Sequence, residues 1–167
     1  LDKVIKEAYK WNIGVITGVP AWVQILIERI IDHYKVTRIH DIWPNLRIYI
    51  HGGVSMEPYK RYFNKLLGDD MIYLDTYTAS EGFIAFQNSN LSAGMSLVMG
   101  NGIFYEFIPF NSDNFSNDGI LLKTATALNL NEIIVDNVYA IIISTNAGAW
   151  RYLIGDTIQF TSLFPFK

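Results

Sequence analysis

The spacing of apolar positions changes near the middle of the chain. In the first part, Val4, Ile5 and Ala8 mark one face of a short amphipathic helix over residues 2–11, and residues 13–16 form an apolar run closed by Gly18 and Pro20. Pro20 suits the first turn of a second helix, where its missing N–H costs nothing. Trp22, Val23, Leu26, Ile27 and Ile30 then recur at helical spacing to about His33. Leu46 to Ile50 reads as a strand ended by Gly52-Gly53. Ser55, Glu57 and Pro58 read as the start of a third helix, with a buried stripe of Tyr59, Tyr62, Phe63, Leu66 and Leu67 and a stop at Gly68. Met71 to Leu74 is the next strand. Helix alternating with strand predicts a parallel sheet with crossover helices.

The second half carries short strand-like runs instead: Gly82–Gln87, Ser96–Met99, Ile103–Pro109, Leu121–Leu128, Tyr139–Thr145 and Ile154–Ser162. Gly, Asn, Asp and Ser turns separate them, which predicts a mostly antiparallel β meander. The polar segment 110–119 is the expected exposed loop. The fold class is therefore α/β in the first half, residues 1–80, and β-rich in the second, residues 81–167.

Composition narrows the function. The 167 residues are 50% hydrophobic and 14% aromatic, enough for a core in one domain or one lobe of a larger one. No cysteine is present, which excludes a disulfide scaffold, a thiolate metal site and a cysteine nucleophile; His33, His40 and His51 leave little for a zinc centre. A net charge of −3 argues against a nucleic-acid surface, which is usually basic. No run of apolar residues reaches membrane-spanning length, so no membrane partner is expected. The chain opens at Leu1 without a signal peptide, which suggests a piece of a longer protein and makes the cytoplasm the expected location. Nothing in the residues speaks to oligomeric state. No Lys or Arg lies between Lys65 and Lys123, whereas Asp75, Glu81 and Glu106 fall in that span, so each of these carboxylates faces water or awaits a cation.

The phosphate-loop, H-E-x-x-H and G-x-S-x-G signatures are absent. Three segments remain. Ile50-His51-Gly52-Gly53-Val54-Ser55 runs a strand into a glycine pair, either an ordinary turn or a place where a ligand nears the backbone at the carboxyl end of an α/β strand. Thr76 to Gly82 gathers an aromatic plane, a hydroxyl and a carboxylate. Tyr77 can stack on a purine, Ser80 can donate to a phosphate oxygen, and Glu81 can hold Mg²⁺; the plain alternative is a buried Tyr with a Ser-Glu cap. In Asn146 to Thr157, Asp156 after Gly155 fits either a type I′ hairpin turn or the acceptor of two ribose hydroxyls. Arg151 fits either a local salt bridge or a substrate carboxylate or phosphate.

As a set, these segments resemble the auxin-responsive acyl-acid amido synthetases, the GH-three family of adenylate-forming ligases. Gly18-Val19-Pro20-Ala21-Trp22 is similar to the family's G-[IV]-P-[SA]-W, and Ile42 to Leu46 with His51 to Val54 is similar to I-W-P-N-L…H-G-G-V. Tyr77 to Gly82 resembles Y-x-A-S-E-G, Gly102 to Pro109 resembles G-x-x-[FY]-E-F-[IV]-P, and Ser144 to Asp156 resembles S-T-x-A-G-[LA]-[WY]-R-Y-x-[IV]-G-D. The resemblance implies ATP- and Mg²⁺-dependent activation of a carboxylic acid as an acyl-adenylate, then transfer to an amine, typically of an amino acid. It implies that Tyr77 flanks adenine, Ser80 touches the α-phosphate, Glu81 ligates Mg²⁺, Asp156 holds the ribose and the Gly52-Gly53 turn borders the nucleotide. It further implies that the family's phosphate loop lies upstream and its C-terminal cap beyond Lys167, so residues 1–167 alone are expected to turn over little. Two other classes compete: a non-catalytic nucleotide- or acid-binding module, and an acyl-CoA ligase with a thiol acceptor. Trp22, Phe104, Tyr105, Phe107 and Trp150 are candidates for an aromatic acid pocket or for plain core.

Overall fold

In the computed structural model, which describes residues 1–68, 70–89 and 94–167, the chain alternates helix and strand as far as β3. The elements of this part are α1 (Asp2–Glu7), β1 (Val15–Thr17), α2 (Pro20–Tyr34), β2 (Ile48–Gly52), α3 (Glu57–Leu66) and β3 (Ile72–Ala79). β1 pairs with β2 and β2 with β3, both in parallel. Pro20 opens α2 as expected, and Val23, Ile27 and Ile30 point into the core at one-turn spacing. Trp22 does not join them: it is 73% exposed, one position off the buried stripe.

The expected first helix is shorter than residues 2–11. Its last turn tightens into a 3₁₀ segment, Ala8–Lys10, and Val4 faces out while Ile5 and Ala8 stay buried. Trp43 fastens this segment from afar by donating its indole N–H to the Ala8 carbonyl at 2.9 Å. α3 buries Phe63, which stacks on Tyr49 of β2 with ring centres 5.4 Å apart; Tyr62 of the expected stripe is exposed instead. Past α3, the Gly68 N–H donates to Nδ1 of buried His40, whose Nε2 meets the Leu46 carbonyl at 2.9 Å.

β3 runs five residues past the expected end at Leu74, because its ladder to β2 continues through Gly52 and Thr76. It turns over Ser80 and Glu81 into β4 (Gly82–Phe86), and β5 (Ser96–Leu97) completes a five-stranded sheet in the order β1-β2-β3-β4-β5. The chain divides into two units, Leu1–Tyr77 with Phe86–Ala93 and Thr78–Ala85 with Gly94–Lys167.

The second unit holds an antiparallel sheet of β6 (Ile103–Pro109), β7 (Val138–Thr145) and β8 (Tyr152–Gln159). β7 lies in the middle and is buried on both faces. Ala140 and Ile142 pack with Ile108 and Phe115. The rings of Tyr139, Phe107 and Phe160 meet edge-on, Phe107 and Phe160 at 5.2 Å. The strand expected at Leu121–Leu128 is instead a chain of turns, with isolated bridges at Leu121 and Leu128. Asn114 accounts for this. Its amide donates to the Pro109 carbonyl and to Asn111, and its oxygen accepts the Thr126 N–H, so side chain replaces ladder. The 110–119 loop is therefore largely exposed but anchored by buried Asn114 and Phe115.

Candidate functional site

In the first unit the candidate residues collect where parallel strands end. Gly52 closes β2 beside Thr76 of β3, and the two backbones approach so closely that a Cβ on Gly52 would stand 2.6 Å from the Thr76 carbonyl oxygen. The Thr76 hydroxyl ties the same place by donating to the His51 carbonyl at 2.8 Å. Gly53 follows at φ 81°, a conformation that glycine adopts freely. Tyr49 reaches along the sheet and donates to the Gly18 carbonyl at 3.0 Å, fixing the loop after β1. Tyr77 is one residue beyond Thr76, in the strand itself and half-buried.

The remaining predicted residues belong to the second unit. Ser80 and Glu81 form the turn between β3 and β4, Ser80 exposed and Glu81 half-buried. At the foot of that turn Gly82 lies against the Ile103 side chain. Asp156 is not in a hairpin turn. It lies inside β8, exposed, just after Gly155 at φ 98°. The β7–β8 register shifts between Ala140 and Ile142, opposite this stretch. Such an irregularity re-aims a side chain out of the regular alternation. The ladder thus places Gly52, Gly53 and Tyr77 near one strand end of the first unit, Ser80 and Glu81 form a hairpin turn of the second, and Asp156 belongs to the second unit's antiparallel sheet.

Two of the carboxylates in the span without Lys or Arg have partners. Arg151, held in the left-handed region at φ 45°, donates from Nε to Glu106 at 3.0 Å, while its own N–H donates to the Ser144 hydroxyl. The local salt bridge is therefore the observed state of Arg151. Asp75 faces His51, with Oδ1 3.4 Å from Nδ1. Burial pushes the His51 imidazole below its ordinary pKa; Asp75 works against that shift, and Lys60 adds to it. Burial also raises the phenols of Tyr49 and Tyr73.

A polar cavity of about 400 Å³ opens between α3 and this face of the sheet, lined by His51, Lys60, Tyr73, Asp75 and Gln87 among others. The sequence singles out His51 and Asp75 separately and does not join them. The available signal was the two-residue alternation that puts Tyr49, His51, Tyr73 and Asp75 on one sheet face. In the second unit an apolar cavity of about 600 Å³ is lined by Ile103, Phe104, Tyr105, Leu130 and Phe164. Of the aromatic candidates, Tyr105 and Phe107 are buried, whereas Phe104 and Trp150 are 59% and 80% exposed. Among the described residues no group of three His, Asp or Glu side chains is suited to caging a metal. A single carboxylate such as Glu81 is the donor set that Mg²⁺ uses when phosphates and water complete its shell.

The fold is shared with solved synthetase and ligase structures. The chain superposes on the GH3.15 acyl acid amido synthetase with a TM-score of 0.70 at 13% identity, over 96% of this chain and 36% of that one. It also superposes on an open form of 2-hydroxyisobutyryl-CoA ligase, solved with 2-HIB-AMP and CoA, with a TM-score of 0.60 at 12% identity, over 95% of this chain and 34% of that one. In sequence, residues 3–72 match the GH3 family N-terminal domain and residues 96–166 the GH3 family central domain. The jasmonoyl–L-amino acid synthetase JAR4 of Nicotiana attenuata is 32% identical over 127 residues, 72% of this chain and 21% of that protein. The chain belongs to the GH3 family, and it spans about a fifth of the length of the curated relatives it matches.

Proposed function

We propose that this chain is the nucleotide-side core of an ATP-dependent acyl-acid amido synthetase, which activates a carboxylic acid as its adenylate and passes the acyl group to the amine of an amino acid. The observation that carries the reading is the strand end at Gly52, Thr76 and Tyr77, continuing into the Ser80-Glu81 turn. Carboxyl ends of parallel strands are where open α/β sheets bind ligands, and in this family-matched chain they carry the Y-T-A-S-E-G segment. In this reading Gly52 and Gly53 border the nucleotide, Tyr77 flanks adenine, Ser80 meets the α-phosphate and Asp156 accepts from the ribose hydroxyls.

Glu81 is the residue that would hold Mg²⁺, which supplies neutralisation of phosphate charge. The protein's own contribution is positioning and charge placement, which dominate phosphoryl-type transfer. The apolar cavity by Phe104 and Tyr105 is our candidate for the acyl chain. On this reading residues 1–167 by themselves hold part of a nucleotide site and release little pyrophosphate.

The test is acid-dependent ATP–pyrophosphate exchange by the intact protein and by its Glu81→Ala variant. Exchange by the parent and its loss in the variant support the reading; undiminished exchange in the variant removes the metal assignment. Offering CoA and amino acids as rival acceptors then decides between thioester and amide formation.

A further inference from the structure

We propose that the cavity between α3 and the β2–β3 sheet face binds a small ligand bearing an ammonium group, held by the Asp75 carboxylate together with His51 and Tyr73. The inference does not depend on the ligase reading. His51 is 5% exposed, and its Nδ1, though 3.4 Å from Asp75 Oδ1, makes no hydrogen bond; the buried Tyr73 hydroxyl makes none either. Both line the same space of about 400 Å³. A buried polar group left unmatched costs about 1–3 kcal/mol, so whatever occupies this space is selected for hydrogen bonding.

The charges around the cavity select the sign of that ligand. The Lys60 ammonium is already taken by Glu57 at 2.7 Å, which leaves Asp75 as the carboxylate with no Lys or Arg partner, beside an imidazole whose charged form burial disfavours. A neutral imidazole offers one acceptor nitrogen, and a carboxylate offers only acceptors. The pocket is thus rich in acceptors and net negative, which disfavours phosphate or carboxylate and favours a donor with positive charge. Among the described residues the ligand set for a metal ion is lacking. A ligand that enters so polar a space displaces water and must reproduce its hydrogen bonds.

The experiment is a titration of the purified protein at pH 7.5 with ethylammonium, glycine and acetate, followed through the His51 imidazole resonances, assigned with His51→Gln. Ethylammonium is expected to shift them saturably and acetate not at all. Glycine tests whether an α-carboxylate is tolerated beside the ammonium, and saturation by glycine with none by ethylammonium would overturn the proposal. So would a flat response to both amines, or equal saturation by acetate. Asp75→Asn is expected to weaken ethylammonium binding about tenfold or more; unchanged binding would sink the assignment of that carboxylate. Should Asp75→Asn fail to fold, the contrast between ethylammonium and acetate on the parent protein still decides.

Discussion

In the parallel sheet the residues of interest stand where strands end; in the antiparallel sheet Asp156 stands inside one. The first arrangement is built by crossover connections, which bring Gly52 of β2 level with Thr76 of β3 as the last pair of their ladder. The second needs a break in an otherwise regular ladder, here the extra residues of β8 opposite Ile141 with Gly155 at positive φ. The comparison teaches that glycine serves two purposes in one protein. Gly52 is small because a backbone is too near; Gly155 has no heavy atom within 4 Å of its would-be Cβ and is needed for its dihedral alone.

The largest effect belongs to the turn that leaves the parallel sheet. Glu81→Ala in the intact protein is expected to lower ATP–pyrophosphate exchange by about 10²–10³-fold, the scale of losing one preorganised charge-stabilising group. Next come the two glycines. Gly52→Ala should destabilise by about 1–3 kcal/mol through overpacking against Thr76, and Gly155→Ala by about 1–2 kcal/mol through the left-handed penalty. Denaturant midpoints at constant slope measure both. A milder cost for Gly155→Asn than for Gly155→Ala, since Asn tolerates positive φ, with no larger residue milder at Gly52, would sharpen the distinction. A harmless Gly52→Ala would break it.

Asp156→Ala is expected to weaken ATP binding about ten- to a hundredfold, as a hydrogen bond to a charged group is worth about 1.5–3 kcal/mol; unchanged affinity would remove the ribose assignment. His51 gives a pH signature to the parallel half. Its folded pKa is lowered, so below about pH 6.5 the unfolded chain takes up a proton before the folded one does. The stability this contributes is full above that pH and is lost as the pH falls through the folded value. The parent should therefore lose thermal stability between pH 7.5 and 5.5 more steeply than His51→Gln, with Asp75 and Lys60 present in both. Smallest is Glu106→Gln in the antiparallel half. Its partner Arg151 is largely exposed, and such pairs are worth about 0.2–1 kcal/mol.

Much of the architecture was readable because periodicity and punctuation agree. Pro20 with Val23, Ile27 and Ile30 specified α2, and the turn residues around Ile103–Pro109 and Tyr139–Thr145 bounded two of the three antiparallel strands. The misreadings have two causes. Leu121–Leu128 has strand composition, but Asn114 supplies the hydrogen bonds a partner strand would have supplied. Trp22 and Tyr62 have core composition and lie just off the buried helical stripe.

By itself the sequence determined most element types, the change from parallel to antiparallel character and the family, and it nominated Gly52, Gly53, Tyr77, Ser80, Glu81 and Asp156 as candidates, because these depend on short-range spacing and residue chemistry. Tertiary structure alone decided that Arg151 meets Glu106 across three strands, that Asp156 sits within a strand rather than a turn, and that His51, Tyr73 and Asp75 share one cavity. Those facts depend on register and on which faces are covered, and a register is an agreement between segments far apart in the chain.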